Sequence, residues 1–217
     1  MMNYCKTKCL NASLFDQDDI GKSQGKYQAI RFLLEILKVE YTEKRYTFKN
    51  SKKWFEEDKL KIGYYFPNLP YLIDGSIKLS ESNSIVSYFL DKYNKQEWKG
   101  KNEDAYKVDE LRFLFTDLQS LGYSSSKGDQ DSFKNYLKKL DFVYQFMRLD
   151  KKVQLGYFTV ADLYSWECIT RLKVQWPEYY QKYSDKFERI FLSYILTYCL
   201  IDALKFQPLK NEIQIKK

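Results

Sequence analysis

Over the first ninety residues, short apolar runs alternate with apolar positions at helical spacing, which is the pattern of an α/β unit. Leu10 to Phe15 predicts a first strand. Ala29, Ile30, Leu33, Leu34 and Leu37 recur at helical spacing, with Ser23 or Gly25 available where that helix starts. Tyr41 to Phe48 alternates weakly and reads as a second strand, and Lys52 to Lys59 reads as a short polar helix. In Phe66-Pro67-Asn68-Leu69-Pro70, two prolines three apart forbid regular structure. Tyr71 to Ile73 and Ile77 to Leu79, joined by Asp74-Gly75, form a hairpin. Ser80 or Ser82 then caps a helix that runs to about Tyr93. The predicted order is βαβαββα.

From Asp91 to Lys101 the chain turns polar and ends in Gly100, and everything beyond reads as helix. Val108, Leu111, Phe115 and Leu118 share one face; Leu137, Leu140, Val143, Tyr144 and Met147 share another. Gly122 to Ser132, rich in serine and aspartate, reads as a loop. Thr159-Val160-Ala161-Asp162 opens the next helix as a capping box with Asp in place of Glu. Phe187 to Leu204 is apolar nearly all round and predicts a buried helix. The expected organisation is an α/β domain over residues 1–93, a linker over 94–102 and an all-α domain over 103–217.

Composition narrows the chemistry. The 217-residue chain carries no histidine, which removes histidine general bases, Ser-His and Cys-His nucleophile pairs and the commonest zinc ligand. No metal site is expected. Its charge of +7 comes from thirty lysines and only six arginines, dispersed along the chain, a profile that AT-rich coding produces without selection for nucleic acid. The four cysteines, Cys5, Cys9, Cys168 and Cys199, are too scattered for a disulfide framework and fit a reducing compartment. No run reaches the ~18 to 20 apolar residues that a membrane span requires; Phe191 to Ile201 is broken by Ser193 and Thr197. With no apolar stretch in the first ten residues, a cytoplasmic protein is expected, and a very short mitochondrial presequence is also compatible.

Three blocks carry a specific resemblance: Ala29 to Glu35 (AIRFLLE), Phe66 to Gly75 (FPNLPYLIDG) and Lys78 to Ile85 (KLSESNSI). In order and spacing they resemble the mu class of glutathione transferases, and the capping box at Thr159 to Asp162 sits where that family has one. The resemblance implies a thioredoxin-like α/β domain that holds glutathione, followed by an all-α domain that lines the pocket for an electrophilic second substrate. Glutathione enters as co-substrate, with no other cofactor.

Glutathione has two carboxylates and one ammonium, so its site needs cations or amide donors at both ends and an acceptor for the amine. Pro70, preceded by an extended Leu69, suits a cis bond that presents the Leu69 backbone to the cysteinyl residue like an added strand. Asn68 beside it suits the glycine end; the plain alternative is a proline loop before a hairpin. Ser82 is placed to receive the γ-glutamyl carboxylate at the positive end of a helix, with Glu81, where mu enzymes usually carry glutamine, accepting the ammonium. Trp54 and Lys59 fall where the family holds the glycyl carboxylate, if one residue is inserted between them. Asp117 lies in an otherwise apolar turn with Phe113, Leu114, Leu118 and Leu121, where a carboxylate is costly unless a cation meets it. It matches an aspartate that the family sends across the dimer interface, the alternative being a solvated face near Arg112. Phe66 matches the aromatic key of mu-like dimers, implying a homodimer.

The match fails at the group that ionises the thiol. Mu enzymes use a tyrosine at the end of the first strand, and aligning Leu14-Phe15-Asp16 with that strand end puts Leu14 at the tyrosine. The segment from Gln17 to Tyr27 is also about six residues too long. Ser23, near a helix start where amides and dipole stabilise a thiolate, and Tyr27, by residue type, are the substitutes, with a simple N-cap the other reading of Ser23. The expected function is a glutathione transferase; the rival is a subunit of a larger assembly that kept the scaffold and lost the chemistry.

Overall fold

The structure is a computed structural model that describes residues 9–11, 27–44, 46, 50–147 and 153–198, with the backbone alone described for 9–11 and 190–198. Four strands, β1 (Cys9–Asn11), β2 (Glu43–Lys44), β3 (Tyr71–Asp74) and β4 (Ile77–Ser80), form one sheet in the order β2-β1-β3-β4. β1 runs parallel to β2, and β3 runs antiparallel to both β1 and β4. The parallel pair requires a crossover, supplied by α1 (Gln28–Ile36), and the antiparallel pair needs only a hairpin. With α3 (Ser82–Lys92) following β4, this is the expected thioredoxin-like layer.

Of the expected strand Tyr41–Phe48, the described residues form strand at Glu43 and Lys44, with Tyr41, Thr42 and Tyr46 outside it. β1 is described over Cys9–Asn11, with Asn11 paired to Tyr71, and the rest of the expected first strand, Leu14 included, lies outside the described residues. In the hairpin, Asp74 pairs with Ile77, so the turn is Gly75-Ser76 and not Asp74-Gly75. Gly75 takes φ +62° at the first central position, the glycine requirement of a II′ turn. Asp74 is instead buried, accepting from the Tyr88 hydroxyl at 2.8 Å and from Lys92 Nζ, which ties the hairpin to α3.

A 3₁₀ turn (Gln96–Lys99) and Gly100 lead into four helices: α4 (Asp104–Ser126), α5 (Gln130–Phe146), α6 (Val160–Gln175) and α7 (Pro177–Tyr198). A Cβ on Gly100, at φ +108°, would stand 2.6 Å from the Ala105 backbone. The loop expected over Gly122–Ser132 shrinks to residues 127–129. Ser120 and Ser125 donate to the carbonyls of Thr116 and Leu121 four residues back, so these serines sit within the helix. Gly122 is buried where α4 meets Tyr136 and the aliphatic stem of Arg171. α7 begins at Pro177, well before Phe187, because proline suits a first helical position.

One core joins both layers: α1 is buried from Gln28 to Leu34, and Phe32 stacks on Trp166 of α6 at 4.1 Å between ring centroids. The start of α6 is fixed by the predicted capping box. Asp162, fully buried, accepts from Thr159 N at 2.7 Å, Thr159 Oγ1 at 3.1 Å and Gln154 N at 2.9 Å. Asp162→Ala strands these buried donors, so it is expected to lower unfolding free energy by about 2 to 4 kcal/mol. Urea denaturation measures this, and an unchanged midpoint would contradict the anchoring role.

Candidate functional site

At the junction of β4 and α3, Glu81 has φ +71° and ψ +121°, a conformation that a non-glycine residue adopts only when its surroundings hold it there. The kink ends β4 and starts α3 within one residue. Ile85 N donates to Glu81 O at 3.0 Å as the first bond of the helix, so the amides of Ser82, Asn83 and Ser84 have no intrahelical acceptor. Ser82 is therefore the first residue of the helix and not its cap, and no side chain caps this end. Ser80 caps nothing either, since its hydroxyl donates to the Phe66 carbonyl. The result is a set of amides without intrahelical acceptors, beside the hydroxyl of the mostly buried Ser82, at the positive end of a helix, which suits an anion.

The proline loop lies beside this end. Asn68 Nδ2 donates to Glu81 Oε1 at 3.1 Å, and Asn68 Oδ1 accepts from Leu69 N at 2.9 Å. The Leu69–Pro70 bond is cis. Asn68, Leu69, Pro70, Glu81 and Ser82 thus come together as the sequence suggests. Lys78 ties β4 to the segment that precedes this loop, donating to the carbonyls of Ile62 at 2.7 Å and Gly63 at 3.3 Å. Nothing in the local sequence marks Lys78 among thirty lysines. Phe66 and Tyr65 stand out from the loop, 75% and 94% exposed, with Phe66 edge-on to Tyr64.

Trp54 and Lys59 bracket a π-helical turn (Lys53–Asp58) that leads into α2 (Lys59–Lys61). Lys59 N–H donates to Trp54 O, five residues back, so one extra residue is absorbed and the two remain one turn apart. The Trp54 ring is buried between Tyr46, at 5.2 Å, and Tyr71, stacked at 5.5 Å. Lys59 is half-buried, its ammonium 5.8 Å from the Phe55 ring. Asp58 accepts from Lys44 Nζ at 2.5 Å and from the Tyr46 hydroxyl at 2.9 Å. The Lys44 bond first, with help from Tyr46 and against burial, holds the Asp58 carboxyl below its ordinary pKa.

The candidates for thiol activation divide. Ser23 lies outside the described residues. α1 begins at Gln28 with Tyr27 in the cap position, so Ser23 is not that helix's cap. Tyr27 precedes the helix, with its ring buried 4.1 Å beneath the Arg31 guanidinium, and Arg31 Nε donates to Glu43 at 2.9 Å. Asp117 is exposed and needs no buried cation. Its ion-pair partner within the subunit is Lys139 of α5, at 2.7 Å, while Arg112 pairs with Asp109 at 2.9 Å. Two residues without any local signal, Tyr164 and Arg112, reach the first turn of α3 from the helical layer. Among the described residues, no cluster of three potential ligands could hold a metal ion.

The fold of the chain is similar to that of solved glutathione transferase structures. Two solved structures overlay it at TM-score 0.68: NaGST-2, at 18% identity over 93% of this chain and 97% of its own, and glutathione S-transferase Blo t 8, at 21% over 93% and 94%. Residues 24–91 match the family model "Glutathione S-transferase, N-terminal domain". Over 76 residues the chain is 47% identical to glutathione S-transferase Mu 4 of Rattus norvegicus and 45% identical to Mu 1 of Homo sapiens. It is 45% identical over 73 residues to the class-mu 26 kDa isozyme of Schistosoma mansoni. The amino-terminal part of the chain is thus similar to the amino-terminal domain of mu-class glutathione transferases. The match spans about a third of the relatives, 34% of the rat protein and 33% of the schistosome one.

The Lys44–Asp58 pair beside Lys59 makes a pH prediction. Because folding lowers the Asp58 pKa, its contribution to stability is complete above the unfolded value of ~4 and is lost as pH falls through the lower folded value. Asp58→Asn should leave a flatter acid limb in stability against pH, measured by urea unfolding between about pH 6 and 3. Parallel profiles for the two proteins would contradict it.

Proposed function

We propose that the chain is a glutathione transferase that adds the glutathione thiolate to an electrophilic small molecule, in the detoxification chemistry its family resemblance implies. The observation that carries this reading is the convergence of Asn68, Glu81 and Ser82 around the amino end of α3, held by the left-handed Glu81 backbone. The γ-glutamyl carboxylate sits on the Ser82 hydroxyl and the amides of the first turn, and Glu81 takes the ammonium. The cysteinyl backbone pairs with Leu69 beside Pro70, displacing Asn68 Oδ1 from the Leu69 N–H. Asn68 and Lys59 then serve the glycyl end, over a floor shaped by Trp54.

A free thiol has a pKa of about 8.5, so a hydroxyl donor must stabilise the thiolate for attack near neutral pH. Ser23 is the proposed donor, with Tyr27 the alternative. The thiolate displaces the leaving group of the electrophile, and the thiol proton passes to solvent. The working unit is a homodimer: Phe66 inserts into the partner, and Asp117 reaches the glutathione amine across the interface. The exposure of both side chains supports this arrangement. The reading needs no metal or further cofactor, involves no nucleic acid, and places the protein in the cytoplasm. Among the described residues, no helix is long and apolar enough to cross a membrane.

Retention on immobilised glutathione followed by conjugation of a generic aryl halide tests the reading. Binding with turnover is expected, and Ser82→Ala should weaken binding roughly tenfold through loss of a charge-assisted hydrogen bond. No retention would overturn it, and retention without turnover would leave a scaffold within a larger assembly. For the dimer, the solution mass of Phe66→Ala should fall towards the monomer at concentrations where the wild type is dimeric. A monomeric wild type, or a variant that dimerises equally well, would contradict the key.

A further inference from the structure

The first turn of α3 is held from the helical layer. Tyr164 of α6, fully buried, donates its hydroxyl hydrogen to Asn83 Oδ1 at 2.5 Å. Arg112 of α4, only 8% exposed, donates from Nη2 to the Asn83 carbonyl at 3.3 Å and from Nη1 to Asp109 at 2.9 Å. Its guanidinium lies 5.9 Å from the Tyr164 ring. Its Nε is buried without a hydrogen-bond partner among the described residues, which is exceptional for a guanidinium N–H. Burial pushes the Tyr164 phenol up to about 12 against the opposing effects of Arg112 and Ser82, so it stays a neutral donor near neutral pH.

These contacts fix the side-chain oxygen and the backbone carbonyl of Asn83 and bring a buried cation up to the turn whose amides have no intrahelical acceptor. We propose that Tyr164 and Arg112 are positioning residues for the anion subsite at the amino end of α3, acting through Asn83 on the adjoining Ser82 and first-turn amides that hold the γ-glutamyl carboxylate. The inference rests on the glutathione reading and extends it. Ligand binding in the α/β layer depends on how α4 and α6 are docked against it. An electrostatic and geometric role of this kind acts on one carboxylate of the ligand and not on the other. A merely structural role would weaken every ligand alike.

Calorimetric titration with glutathione, and with an analogue whose γ-glutamyl residue is replaced by 4-aminobutyryl and so lacks the α-carboxylate, separates these cases. Tyr164→Phe keeps the ring and removes only the hydroxyl. It and Arg112→Gln should each weaken glutathione binding roughly threefold to tenfold, as expected for one lost hydrogen bond or charge, while binding the analogue with wild-type affinity. Arg112→Lys should recover part of the loss, and in turnover KM for glutathione should rise with kcat unchanged. Wild-type affinity for glutathione in both variants, or equal weakening towards both ligands, would overturn the proposal.

Hydrogen exchange of the Ile85 amide, which is bonded to the Glu81 carbonyl, reads the brace in the unliganded protein without any ligand. Faster exchange in Tyr164→Phe than in the wild type is expected, and equal rates would overturn the brace. A wild type that braces this turn yet binds neither tripeptide would overturn the glutathione reading, and with it the positioning role.

Discussion

The backbone at Glu81 is the constraint on which the arrangement of the site depends. A left-handed residue other than glycine costs about 1 to 3 kcal/mol and persists only where neighbouring structure determines it. Here the neighbours are β4, paired through Ser80 to Tyr71, and α3, whose Ile85, Val86, Phe89 and Leu90 are fully buried. With strand and helix both fixed, one residue has to turn the chain between them, and it leaves the three first-turn amides without intrahelical acceptors. The carboxylate of Glu81 lies against Asn68, so the same kink sets an acceptor beside the donors.

The helical layer bears on this point from behind. Phe32 on Trp166 fastens α1 to α6, Asp162 fixes where α6 begins, and Tyr164 follows two residues later to meet Asn83. Deeper in α6, Glu167 is fully buried, accepting from Gln119 Nε2 at 2.5 Å and from Arg171 Nη2 at 3.3 Å. A buried ion pair adds little net stability, but removing one partner leaves a charge uncompensated. Such a group specifies which faces of α4 and α6 meet, and through them where Tyr164 and Arg112 arrive.

Features with local causes were legible in the sequence. The hairpin, the capping box and the buried face of α4 all follow from turn chemistry or periodicity, and the order βαβαββα is the order observed. Asn68, Glu81 and Ser82, singled out by the family resemblance, lie just before and just after that hairpin, which brings Asn68 and Glu81 into contact. Misreadings arose where tertiary packing decides. The serines after Gly122 lie within a helix that tolerates them, Ser125 and Ser126 bonding back to its carbonyls, while the glycine packs against Tyr136 of α5. Ser80 and Ser82 look like caps, but a left-handed Glu81 takes the cap position. The core position of the Trp54 ring comes from Tyr46 and Tyr71, one before it and one well after it in the chain. Tyr164 lies 81 residues from Asn83, and no spacing rule links them.

The central claim is that the turn from Glu81 to Ser84, together with Leu69, is the place where glutathione is held. Amide-resolved magnetic resonance of the protein during titration with glutathione tests this most directly. The account predicts saturable shifts that are largest at the amides of Leu69, Ser82 and Asn83. Saturable shifts elsewhere with these three unmoved, or no saturable shift at all, would contradict it.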